Sequence, residues 1–426
     1  MSAEKPKAVK PAATAAPANP QMGEHAKPSL ATRLAGGGFG LSLGALIAAL
    51  FLGGLLIAAT DPATQKAAGY FFARPTDTLS AAWKAAAGAY KAMFEGAIFN
   101  PKGKTFADQI RPLTETLTVA TPLILAGLAV ALPFRAGLFN IGAQGQIILG
   151  ALVSGYVGFA YNLPLALHLL LVIIGGIIGG AIWGGLVGLL KAKTGAHEVI
   201  LSIMLNYIAA NLILLLLKTP TFQREGSSNP ISPILPDSAL LPRIFPGSDL
   251  NFRLHWGFVL AIIAVIFASW LIERSTIGFR LRAVGANPNA ARTAGINVAN
   301  GYIIVMAIAG ALAGLAGVAQ VAGTEKTLTT GIAASFGFDA ITVALLGRAK
   351  PWGTFFAALL YGAFRAGGVM MQATTGTNID IVAVVQALIV LFIAAPPLVR
   401  TIFRLPDPAN PRKKKASKNN SLQGAQ

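Results

Sequence analysis

Polar side chains set inside long apolar stretches are the residues through which this chain could act on a solute. In the run Leu138-Phe-Asn-Ile-Gly-Ala-Gln-Gly-Gln146, Asn140 and Gln144 are spaced i,i+4 and would share one face of a helix. Gly142 and Gly145 make the same run a helix start or break. Ser202 and Asn206 repeat the spacing, with Asn211 beyond them. Gln320 closes a later apolar run, and Asp339 opens the one after it, just past Phe336. Polar groups in hydrocarbon must face protein or a watery cavity. A single amide is accounted for by interhelical hydrogen bonding, worth about 0.6 kcal/mol. Clustered uncharged amides suit a path for a neutral polar solute, and the candidates for that path are Asn140, Gln144, Asn206 and Asp339.

Other chemistries find little support. Within the apolar runs the charged residues are Glu115, Asp339, Asp380 and Arg365. An ion-coupled carrier needs a buried carboxylate or an ion cage of broken helices, and only Glu115 or Asp339 could serve. His168 stands alone in a Leu-rich run and reads as structural. With no Cys there is no thiol nucleophile, disulfide or Cys-based metal site. No H-E-x-x-H occurs, and Gly323-Thr-Glu-Lys-Thr327 lacks the glycine spacing of a phosphate loop. The expectation is no catalytic residue, no metal, and no cofactor on this chain.

The elements that must hold these residues follow from composition. The chain has 426 residues, 54% hydrophobic and 12% charged, with a mean hydropathy of +0.63. A soluble domain carries about 25% charged residues. The excess of +18 would fit a nucleic-acid binder only in a chain without so apolar an interior; in membrane proteins, Lys and Arg gather in cytoplasmic loops. Crossing ~30 Å of hydrocarbon takes about 20 apolar residues. Ten runs qualify: 37–60, 112–133, 138–160, 164–190, 199–217, 257–272, 299–322, 333–347, 352–371 and 379–399, the eighth short enough to be broken or tilted. The fold class is therefore an all-α polytopic membrane protein of about ten transmembrane helices. The first run follows a polar lead of 36 residues and is too long for a signal peptide, so it reads as a retained anchor. With the N-terminus inside, inner segments hold 21 Lys and Arg and outer ones 12, and the short loops put both termini in the cytoplasm.

The basic tails 1–36 and 400–426 lack apolar periodicity and read as disordered segments that meet anionic lipid headgroups. No aromatic residues interleave with their charges, which argues against nucleic acid. Gly175, Gly176, Gly179, Gly180, Gly184, Gly185 and Gly188 form small-residue ladders in the fourth run, and Gly310 and Gly314 repeat the theme in the seventh. In the outer segment 61–111, residues 79–99 have the Trp83, Tyr90 and Phe94 spacing of an interfacial helix. The outer loop 218–256 is stiffened by Pro220, Pro230, Pro233, Pro236, Pro242 and Pro246. It is either a receiving surface for a partner or a cap on the bundle.

The cytoplasmic loop 273–298 holds a compact helix with Asn287 as N-cap, Pro288 at its first position and Gly295 at its exit. Arg280, Arg282 and Arg292 make the loop basic. Two turns are not stable alone in water, so this helix must dock on its own bundle or on a second protein.

Four stretches together resemble a known family: Phe134–Gln146, His197–Tyr207, Gly278–Ile296 and Gly337–Gly347. They are similar to the inner-membrane permeases of bacterial ATP-binding-cassette importers for simple sugars, nucleosides and branched-chain amino acids. The His197-Glu-Val-Ile run is most like the nucleoside (guanosine-type) branch. The resemblance covers roughly 110–400, so 112–399 is the permease domain; Gln144 stands where many relatives are expected to carry Glu, which removes a charge. It implies two inverted units, spans 2–5 and 7–10, in a bacterial inner membrane. Its partners would be a cytoplasmic ATPase that binds ATP-Mg, a second and non-identical permease subunit, and an extracytoplasmic substrate-binding lipoprotein. Arg280, Arg282, Asn287, Pro288, Arg292 and Gly295 would couple to the ATPase, and the cargo would be a nucleoside. The rivals are a permease for a simple sugar, an ion-coupled secondary transporter and a structural scaffold.

Overall fold

In hydrocarbon a backbone must close its own hydrogen bonds, which leaves long apolar runs the helix as their spanning form. The computed structural model describes residues 38–247 and 252–403. The expectations for the tail 1–36 and for the tail beyond 403 lie outside those residues. The helices are α1 (Gly38–Thr60), α2 (Pro62–Ala68), α3 (Pro75–Ala97), α4 (Phe106–Arg135), α5 (Ala143–Ala160), α6 (Leu165–Thr194), α7 (Glu198–Leu216) and α8 (Gly257–Arg274). They continue with α9 (Thr276–Ala286), α10 (Pro288–Thr293), α11 (Val298–Val318), α12 (Phe336–Leu346), α13 (Pro351–Thr375), α14 (Asp380–Ala394) and α15 (Pro396–Phe403). Residues 319–325 prolong α11 as a π-helix.

Each of the ten apolar runs falls on a helix, but among the described residues only 8 helices are long and apolar enough to cross a membrane. The eighth and tenth runs yield α12, with 11 residues, and α14, with 15. At 1.5 Å per residue these reach about 17 and 22 Å, short of the ~30 Å core. Local chemistry sets both limits. Ser335 and the irregular stretch before it delay the start of α12, and Gly347 with left-handed Arg348 and Ala349 ends it. Helix α14 ends at Ala394, where the backbone of Ala395 leaves the helical region at φ −114° and ψ 66°.

Helix α4 is the most deeply buried of these eight. Helix α6 lies against α11 at backbone distance: a methyl group on Gly180 would strike the Gly310 carbonyl oxygen, and one on Gly314 would strike that of Gly176. The glycine ladders therefore meet each other. Helix α13 packs in the same way on α4, where Gly362 leaves 2.8 Å between a would-be Cβ and the Thr116 carbonyl oxygen. Four further contacts pair α5 with α11, α12 with α4, α5 with α7, and α12 with α14.

The expected interfacial helix is α3, and it is docked more firmly than its aromatic spacing implied. Trp83 and Phe94 are exposed, but Tyr90 is half-buried and its hydroxyl donates to the Leu50 carbonyl of α1. Ala89, Ala92 and Ala97 are buried, and Gly367 of α13 sits on the Met93 carbonyl. His168 is structural, bonded to Ser238 at 2.9 Å and to the Val157 carbonyl at 3.2 Å.

Candidate functional site

The chain leaves α4 at Arg135, turns through Gly137 at φ 73°, and does not resume helix until Ala143. Asn140 lies in this gap, outside the helix. Its amide donates to the Ala129 carbonyl at 3.0 Å, an oxygen whose helical donor would have been residue 133. That residue is Pro133, which has no N–H, so Asn140 supplies the missing bond. Asn140 also accepts from the Gly142 N–H at 3.0 Å and exchanges two amide bonds with Gln146, at 3.0 and 3.2 Å. Both side chains are fully buried. From α7, Asn206 accepts from the Gly145 N–H at 2.8 Å and donates to the Ile141 carbonyl at 3.0 Å. The opening N–H groups of α5, which no helix can satisfy internally, are thus served by two asparagines.

Gln144 does something different. Its amide nitrogen donates to the Ala334 carbonyl at 2.7 Å, and its oxygen accepts from the Gly337 N–H at 2.9 Å. Gly337 opens α12, so one side chain clasps the starts of two interrupted helices. A Cβ at Gly337 would run into the Gln144 backbone. Two residues on, Asp339 accepts from Ser335 Oγ at 3.0 Å and pairs with Arg365 Nη2 at 3.3 Å. Arg365 also donates to Ser335 Oγ, and its guanidinium lies 4.6 Å from the centre of the Phe336 ring.

All four path candidates therefore gather around two helix starts, with unequal freedom. Asn140 and Asn206 are spent on holding α5, whereas Gln144 and Asp339 keep partial exposure. The expected Asn140–Gln144 face does not form, because the helix begins after Asn140; its partner is Gln146. Arg365 was not among the path candidates. Its signal was present in the sequence, since an arginine within an apolar run requires a carboxylate or a watery cavity.

On the far side of the gap, the loop 273–298 folds as α9 and α10. The Asn287 side chain caps α10, accepting from the N–H groups of Asn289 at 2.9 Å and Ala290 at 3.1 Å. Pro288 is its first residue, and Gly295 leaves with φ 79°. Only Ala291 of α10 is buried, against Val284 and Val298; Asn287, Pro288, Arg292 and Gly295 are exposed. On α9, Arg280 is exposed and Arg282 half-buried, beside Phe279 at 62% exposure. These elements rim a concavity of about 1030 Å³. Gly285 of α9 rests on the turn that enters α5: a Cβ there would lie 2.8 Å from the Ala136 carbonyl carbon and 2.9 Å from the Gly137 nitrogen. The same turn is braced by Glu198, which pairs with Lys191 at 2.6 Å and accepts from the Phe139 N–H at 3.4 Å.

A buried histidine marks the end of the loop 218–256. His255 accepts from the Gly257 N–H at 3.1 Å, and its ring lies on Gly323 of the π-helix. Burial and, second, the Arg253 charge push its pKa down to about 4. The unfolded residue, near pH 6.5, binds a proton the native one refuses, so stability is full above that pH and falls as pH drops toward 4. The loss approaches about 3 kcal/mol at the acid end. Thermal unfolding of the detergent-solubilised protein at pH 7 and pH 5 should show a larger drop for the wild type than for His255→Asn. Equal drops would remove His255 as the cause.

Among the described residues no group of three or more His, Cys, Asp or Glu could hold a metal. Residues 113–394 match the family described as branched-chain amino acid transport system / permease component. The chain is 37% identical over 290 residues to the guanosine ABC transporter permease protein NupP of Bacillus subtilis, covering 68% of this chain and 82% of that one. It is 36% identical to the glucose ABC transporter permease protein TsgB13 of Haloferax volcanii, over 66% of this chain and 75% of the relative. With the nucleoside ABC transporter permease protein NupB of Lactococcus lactis it shares 35% identity, over 67% and 79%. No solved structure matches.

Proposed function

Because the chain belongs to the branched-chain amino acid transport system / permease component family and is a multi-pass transport subunit, we propose that it carries a nucleoside into a bacterial cell by alternating access across the inner membrane. ATP hydrolysis would fall to a cytoplasmic ATPase that holds ATP-Mg, and delivery to an extracytoplasmic binding protein. The observation that carries the solute path is the Gln144 clasp. It joins the N-termini of α5 and α12, whose aligned peptide dipoles present positive potential to electronegative groups of a neutral solute. A nucleoside has such groups and no net charge.

Both termini are placed in the cytoplasm, a reading supported by the Lys and Arg count of the short loops. The two inverted units are supported by exchangeable packing. Helix α6 meets α11 as α13 meets α4, and α5 meets α11 as α12 meets α4. Each unit also contains one helix with an interrupted start, α5 and α12. A second permease chain would cover the face where Tyr207 and Asn211 of α7 stand exposed, since such groups are costly against lipid. On the inner side, α10 would seat in the ATPase and Gly285 would pass its movement to the turn at Gly137.

The test is uptake of radiolabelled guanosine by proteoliposomes that contain both permeases and the ATPase, supplied with binding protein. ATP should drive uptake, and a Walker-lysine variant of the ATPase should abolish it. Uptake that persists with the dead ATPase and follows an imposed proton or sodium gradient would make the chain a secondary transporter. The resemblance to a glucose permease favours a simple sugar as the second reading; glucose competing better than guanosine would establish it.

A further inference from the structure

The Gln144 clasp says how two helices are joined; it does not say where a solute first rests. A separate cavity of about 580 Å³ lies between the end of α3, the first half of α4 and the second half of α13, with Phe336 of α12 among its lining residues. We propose that this cavity is the outward-facing solute site, that Arg365 and Glu95 are its recognition groups, and that it takes a neutral ring-bearing polar solute of nucleoside size. The inference rests on the importer reading above.

Cavities of this volume are ordinary for small-molecule sites. Three guanidinium groups line it, from Arg111, Arg253 and Arg365, and three carboxylates, from Glu95, Asp108 and Glu115. The lining is balanced, so an ionic solute would lose its hydration without a net opposite charge to replace it. Phe336, Val369 and Met370 supply an apolar wall on which a flat ring can lie.

Arg365 and Glu95 both keep unused hydrogen-bonding capacity. Arg365 meets both Ser335 and Asp339 through Nη2, so among the described residues its Nε and Nη1 have no hydrogen-bond partner. Its fork retains N–H groups for a carbonyl or ring nitrogen. Glu95 is buried at 6% exposure, and its Oε1 accepts no hydrogen bond. The nearest ammonium groups stand off, Lys91 at 4.0 Å from Oε1 and Lys102 at 3.7 Å from Oε2. A buried acceptor in that condition is costly unless a donor arrives, and a sugar hydroxyl is such a donor. A solute that engages Arg365 would also bear on the first turn of α12, because Ser335 and Asp339 flank the Gly337 N–H held by Gln144. Occupancy would thereby reach the junction where the two half-helices meet.

The chain contains no cysteine, so an introduced thiol is the one site of maleimide labelling on it. In the full complex, Val369→Cys should react with a membrane-impermeant maleimide added from the outer side. Saturating guanosine should slow that reaction about tenfold, as expected for a site occupied about nine-tenths of the time. In the same vesicles, Arg365→Lys keeps the charge but loses the planar fork, and should raise KM for uptake about tenfold with maximal rate retained. Unchanged labelling under guanosine, or an unchanged KM in Arg365→Lys, overturns the site while wild-type ATP-driven uptake keeps the importer reading intact. Failure of the wild-type complex to take up guanosine would instead fell that reading.

Discussion

Replacing Pro288–Ala294 with a Gly-Ser stretch of equal length should abolish ATP-driven uptake and the co-purification of the ATPase. The segment is almost entirely exposed, with Ala291 its one buried side chain, so its loss removes little from the membrane core. A six-residue helix holds its shape only through local devices, here the Asn287 cap and Pro288. Gly-Ser removes Pro288 and the helix-forming residues behind it, and leaves Asn287 with no helix to cap. A compact knuckle that fills a partner's groove is the kind of element in which binding energy concentrates, so a loss on the order of a hundredfold in affinity is expected. Pull-down of the ATPase with tagged permease measures it, and unfolding temperature shows that the bundle is intact. Wild-type co-purification by the Gly-Ser variant would move the coupling surface elsewhere on the chain.

The second large effect is expected at Asn140. In Asn140→Leu the shape is nearly kept, but the Ala129 carbonyl, the Gly142 N–H and the Gln146 amide lose their partner together. Each stranded buried group costs about 1–3 kcal/mol, so the variant should lose roughly 3 kcal/mol or more and unfold well below the wild type. Gln144→Ala should behave in the opposite way. Its amide is half-buried and ties two helix starts rather than the core, so unfolding should shift little while uptake falls sharply. Thermal unfolding and uptake, measured on both variants, separate a structural latch from a path residue. If Asn140→Leu unfolds at the wild-type temperature, the hydrogen-bond account of the gap is wrong.

Much of the bundle was legible in the sequence. Hydrophobic runs located every spanning helix, because in lipid the length of an apolar stretch and its helicity are one constraint. The Asn287 cap and the close glycine faces of α6 and α11 were equally readable, the first being a contact within four residues and the second a run of residues without side chains. The i,i+4 spacing of Asn140 and Gln144 predicted a shared helical face, which the start of α5 at Ala143 prevents.

What the amino-acid order determined by itself was a polytopic helical protein with a basic loop at 273–298, since hydropathy, charge and capping act over one or a few turns. The tertiary structure decided which amide meets which. Asn140 pairs with Gln146 and serves the carbonyl left open by Pro133, because the helix starts only at Ala143. Arg365 finds Asp339 across two helices, and Gln144 reaches Gly337 from the other half of the chain. Spacing along a sequence predicts neighbours only while a helix is unbroken. At an interrupted helix the open backbone groups are satisfied by whatever the fold brings near, and that is settled in three dimensions.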